Sequence, residues 1–139
     1  MKYLTQILDK RLLSPEGEPV GKVLDAVAVL TGRLPAVKAV IVLTRDGEVF
    51  VPYEALEFDP DPAGPMGTGV IRGDIRLSVP LKSIVPYRAG DEDLRLRRDV
   101  LDKQIVDVQD YRVVRVSDVR LAQCGSSYCV VGVATPTTQ

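Results

Sequence analysis

The 139 residues of this chain have room for one ordinary domain, or two very small ones with a usable hydrophobic core. Hydrophobic residues make up 45% and charged residues 27%, with Lys+Arg 18 against Asp+Glu 19, a balance that fits a folded globular protein and excludes a disordered tail. The net charge of -1 gives no broad electrostatic ground for binding nucleic acid, and no run approaches the ~18 apolar residues of a membrane span, so neither nucleic-acid binding nor direct membrane insertion is expected.

The first residues, Met1 to Pro19, are too often charged for a signal peptide, and a cytoplasmic location is the expectation. From Val20 to Leu30 and from Ala36 to Leu43, β-branched residues dominate, and Thr31-Gly-Arg-Leu-Pro35 lies between them. This pattern predicts a β-hairpin. Arg45-Asp-Gly-Glu48 carries the Asp-Gly pair that tolerates positive φ, and it leads into a further strand at Val49-Phe-Val-Pro-Tyr53. Asp59 to Gly69 is broken by prolines and glycines and reads as a surface loop. Ile75-Arg-Leu-Ser-Val79 alternates as a half-buried strand should, and Pro80 to Val85 reads as a turn or short helix. Val23, Val27, Val40, Val42, Val51 and Leu77 are the expected core.

The most informative feature is an internal repeat. Ile7-Leu-Asp-Lys-Arg-Leu-Leu13 returns as Val100-Leu-Asp-Lys-Gln-Ile-Val106, an offset of 93 (100 − 7). Held without a gap, the same offset superposes Val20 on Val113, Val23 on Val116, Asp25 on Asp118, and Val37 and Val40 on Val130 and Val133. The reading is therefore a complete β unit at residues 1–90, a charged connection at 91–99, and the first half of a second copy at 100–139.

Leu-Asp-Lys followed by Val20-Gly-Lys-Val-Leu-Asp-Ala-Val-Ala-Val29 and Val49-Phe-Val-Pro-Tyr-Glu-Ala-Leu56 resembles the PRC-barrel family. More narrowly, Leu101 to Asp107 with Arg112 to Leu121 resembles the tandem PRC-barrel region of MgtE-type magnesium-transporter-like proteins. The resemblance implies an all-β fold, a small barrel plus an incomplete second one. It also implies an adaptor role, since the wider family includes the cytoplasmic domain of the photosynthetic reaction-centre H subunit and half of a ribosome maturation factor.

Chemistry is sparsely signalled. The chain has no histidine, which removes Ser-His and Cys-His arrangements, and no catalytic residue, cofactor site or metal site is assigned. Asp59 with Asp61, or Asp91 with Asp93, are the carboxylate pairs considered for a hard cation; neither fits a calcium loop. Gly67-Thr-Gly69 with Gly73 lacks the helix that a phosphate loop needs. Asp25 and Asp118 are read as acceptors of backbone hydrogen bonds at a bulge, or as solvent-facing. Cys124 and Cys129 are read as two small side chains on strands, with pairing across a hairpin as the alternative. The expected function is a non-enzymatic protein-interaction or regulatory adaptor; the alternative is a cation- or small-ligand-sensing domain. Because the second copy is cut short, its strand around Tyr128, Val130, Val131 and Val133 is the expected edge of a homodimer with a shared barrel. The other packing considered sets the half-copy against its own first barrel.

Overall fold

A computed structural model describes residues 2–30, 32–60, 71–107, 111–125 and 127–135. The described chain is all-β, with ten strands in one curled half-barrel sheet and two in a small separate ribbon. The strands are β1 (Lys2–Tyr3), β2 (Arg11–Leu13), β3 (Pro19–Leu30), β4 (Pro35–Thr44), β5 (Gly47–Pro52), β6 (Leu56–Pro60), β7 (Ile71–Leu77), β8 (Leu94–Arg95), β9 (Gln104–Asp107), β10 (Arg112–Arg115), β11 (Asp118–Cys124) and β12 (Ser127–Ala134). The large sheet runs β1-β11-β12-β4-β3-β2-β7-β6, with β5 also beside β4 and β8 also beside β3. The ribbon is β9 with β10.

The predicted hairpin forms as β3 and β4, and the Asp46-Gly47 turn joins β4 to β5 with Gly47 at φ 115°. Two bulges set which side chains enter the core. The ladder skips Leu24 between Val23 and Asp25, and skips Lys38 between the partners of Val27 and Ala28. An extra residue flips the alternation of everything after it. Val23, Ala26 and Ala28 therefore share the main core with Val37, Val40, Val42, Val51, Ile75 and Leu77, each buried. Val27 is fully buried, as expected of a core residue, but on the opposite face, in a second cluster with Ala39 and Ile41 under Phe50 and Tyr87. Burying each such Val, Leu or Ile side chain contributes about 1.5–3 kcal/mol.

The second copy repeats key backbone bonds of the first. Asp9 and Asp102 both take positive φ, 66° and 63°, and each donates its N–H at 2.8 Å to an equivalent carbonyl further along the chain, that of Val23 and that of Val116. Val23 and Val116 in turn donate to Lys10 and Lys103, both at 2.9 Å. In the hairpin, Asp118 pairs with Ala134 as Asp25 pairs with Ile41, and Leu121 with Val130 as Ala28 with Val37. The bulge recurs at Val131, the counterpart of Lys38.

One substitution explains where the copies part. A Cβ on Gly21 would lie 2.6 Å from Val42 Cγ1 and 2.7 Å from the Leu43 carbonyl oxygen, so β3 crosses β4 this closely only because Gly21 has no side chain. Its counterpart is Val114. The single strand β3 accordingly becomes two, β10 and β11, on either side of Val116 and Ser117, and β10 leaves the large sheet to form the ribbon with β9.

Candidate interaction edges

The connection between the copies is more than a linker. Residues 94–100 form β8 and a π-helical turn, Leu96–Val100, and Leu96 is buried in the main core. β8 pairs with β3 of the first copy, at Val27 and Ala28, while β1 pairs with β11 of the second, at Leu121 and Arg120. These are equivalent positions, so each copy lends its leading arm to the other. The exchange centres on Ala36, which pairs with Cys129, its own counterpart at the offset of 93. An antiparallel pair between equivalent residues is what a two-fold axis produces.

Asp25 and Asp118 secure the exchanged arms. Asp25, 2% exposed, accepts from its neighbour Ala26 N–H at 2.7 Å and from the Arg97 and Arg98 N–H groups of the π-turn at 2.6 and 3.1 Å. Arg95 Nε lies 3.8 Å from the same carboxylate and offsets its buried charge. Asp118 repeats the device toward the first arm: it accepts from Val119 N–H at 2.8 Å, from Thr5 N–H at 3.1 Å and from the Thr5 hydroxyl at 2.5 Å. Both aspartates thus accept backbone hydrogen bonds, Asp25 beside a bulge as foreseen and Asp118 at the start of its strand, each from its own neighbour and from the arm it secures.

The Arg97 guanidinium adds a two-pronged pair with Asp9 at 2.9 and 3.1 Å and donates to the bulged Leu24 carbonyl at 3.0 Å. The Arg97 hydrogen bond holds the Asp9 carboxyl below its ordinary value against a smaller, opposing effect of burial. Arg98, with help from the Arg95 N–H, does the same for Asp99. On the other side of the joint, Lys2 lies over the Phe58 and Tyr128 rings, 4.2 and 4.4 Å from their centroids, and the Tyr53 ring meets both. Burial pushes the Tyr53 hydroxyl far above its ordinary value.

Cys124 and Cys129 are joined as a disulfide across the β11–β12 hairpin, which corrects the reading of two separate thiols. The structure brings them together because the strands reverse at Gly125, φ 64°, leaving the two Cα atoms 6.0 Å apart.

The foreseen edge strand, β12, pairs along its length with β11 and meets β4 only at Cys129, so the half-copy packs against its own first unit. Tyr128, Val130 and Val133 are half-buried against the main core, whereas Val131, at the bulge, is 40% exposed. In the first copy β5 covers this edge of β4, and β7 covers the outer edge of β2. Among the described residues neither has a counterpart on the second copy, so β12 beyond Cys129 and the outer edge of β9 carry no strand. Exposure follows: Leu12 is 0% exposed and its counterpart Ile105 40%, with Val106 at 65% and Val113 at 61% beside it. The β9 edge was not foreseen; the repeat, followed to its missing strand β7, was the signal for it.

Of the carboxylates considered for a cation, Asp61 lies outside the described residues, as do Gly67 to Gly69, and Asp93 instead accepts the Gly90 N–H at 2.9 Å. Among the described residues no three His, Cys, Asp or Glu side chains cluster as a metal site would require, and no helix is long and apolar enough to cross a membrane. The chain matches no protein-family model and no curated protein.

Proposed function

We propose that this chain is a non-enzymatic protein-interaction module of the PRC-barrel kind, in which the first copy is the scaffold and the unclosed second copy is the docking face. The observation that supports it is the pair of edges on β12 and β9 where the first copy has β5 and β7. Unpaired backbone groups flanked by exposed valines favour addition of a strand from another chain. In isolation the other chain is a second copy, joined through the β12 edge at Val131 to Ala134, and in the cell the module serves as an adaptor. The reading includes the resemblance to the cytoplasmic N-terminal region of magnesium-transporter-like proteins. In a reducing cytoplasm Cys124 and Cys129 would be thiols, and the β11–β12 ladder would be left to hold the hairpin's register.

Sedimentation velocity over the micromolar range tests self-association. The parent chain should convert from monomer to dimer with concentration, and Val131→Lys, at an exposed position, should stay monomeric. A parent that remains a clean monomer while residues 128–134 are protected in hydrogen exchange would reject the shared interface.

A further inference from the structure

The first copy shows how the open edge of the second is filled. β7 runs parallel to β2, with Ile75 opposite Leu12 and Arg76 opposite Leu13. In that register Asp74, the residue before Ile75, stands level with Arg11. The β9–β10 ribbon keeps the first two pairs of the β2–β3 register, Arg115 with Gln104 as Lys22 with Arg11 and Val114 with Ile105 as Gly21 with Leu12; the β2–β3 ladder then shifts before Leu13 where β9–β10 runs on without a shift, and the same two backbone hydrogen bonds anchor the base of both. The outer edge of β9 is therefore the local equivalent of an edge already seen occupied. Its apolar positions, Ile105 and Val106, are exposed where Leu12 is buried. At the end of the ribbon where the acid of β7 would fall stand the exposed cations Lys103 and Arg115, with the exposed Asp102 next to Lys103.

We infer that β9 takes a strand in parallel from a partner protein, an extended segment with an acidic residue followed by two apolar residues in alternation. The first apolar residue lies opposite Ile105, as Ile75 lies opposite Leu12, and the acid faces the Lys103 and Arg115 end. A parallel strand argues for a different protein here and against a second copy of β9, because a two-fold axis normal to the sheet would set two β9 strands antiparallel. Main-chain hydrogen bonds would supply affinity and the alternate apolar side chains selectivity. The inference rests on the second copy being a docking face; it does not require self-association.

The probe is a labelled peptide with the chain's own β7 pattern, Ile71-Arg-Gly-Asp-Ile-Arg-Leu-Ser-Val79, titrated into the whole protein. It should bind saturably, protect the amides of residues 104–107 from exchange, and weaken at least about tenfold when Ile105→Asp is made in the protein. Exchanging the isoleucine at its fifth position for aspartate should abolish binding of the peptide, a control that leaves the protein unaltered. Absence of binding up to about 1 mM would overturn the inference, as would binding indifferent to both changes. Protection confined to β2 and β6, marking displacement of the resident β7, would overturn it too. A peptide that fails while the Val131-dependent dimer persists removes this inference alone. A peptide that binds a strictly monomeric chain removes only the homodimer.

Discussion

Ala36 stands opposite Cys129 in an antiparallel pair, and the two are each other's counterparts in the repeat. A two-fold relationship within one chain follows from that single pair, and it accounts for the arm exchange of β1 onto β11 and β8 onto β3. The offset is 93 on the core side of the arms and falls to 92 in them, because Lys2 pairs with Leu121 where Leu94 pairs with Ala28. The extra residue is absorbed as a π-turn at Leu96–Val100 where the first copy has a 3-10 turn at Leu4–Gln6.

Asp25 should be the most costly polar position to alter. Asp25→Ala leaves the Arg97 and Arg98 N–H groups without their acceptor and Arg95 with Glu48 alone as its counter-charge, a loss of about 3 kcal/mol in urea unfolding. Asp118→Ala, at a half-buried site where the exposed Thr5 can turn its donors to water, should cost only about 1 kcal/mol.

Gly21→Ala forces a Cβ against the Leu43 carbonyl, a backbone atom that cannot swing aside. It should destabilise by about 1–3 kcal/mol. Val114→Gly at the counterpart should change stability much less, since β10 has no strand crossing it among the described residues. Thermal unfolding of the two variants checks the contrast.

Val40→Asp places a carboxylate without a partner in the main core and should cost several kcal/mol, enough to threaten folding of so small a unit. Val131→Asp, at the exposed bulge, should leave the monomer's melting temperature nearly unchanged.

Acid should loosen the clasp. Asp9 and Asp99 are both held below the ordinary carboxylate value, so the stability they contribute is full above about pH 4 and is lost as pH falls through their lowered values. Arg97→Met removes the partner of Asp9 and should flatten that acid limb by lowering the neutral plateau toward the acid end, by a small amount because both groups are well exposed. Melting curves across the acid range would show it.

The hairpins, the repeat and the all-β class were legible because period-two patterning over ten residues and an Asp-Gly turn are strong local signals. The face of Val27 was not, because a bulge at Leu24 changes parity without changing composition. The arms were hidden for a different reason: β1 and β8 are two residues each, too short to show a period, and Leu96 sits in a run of charge that resembles a solvated connection. Asp25 and Asp118 could be seen as equivalent, but their ligation across the copies depends on the two-fold, which no local pattern encodes. The open β9 edge was implicit in the absence of a second β7 among the described residues and became visible once the first two pairs of β9–β10 matched those of β2–β3.

The most direct test of an unclosed second copy is hydrogen exchange of the dilute monomer, comparing β2 with β9. The account predicts that Leu12 and Leu13, paired on both sides by β3 and β7, are slow, while Ile105 and Val106 exchange faster because only β10 pairs with them. Equal, strong protection of both strands in the monomer would mean that the second copy is already closed, and would contradict the docking reading.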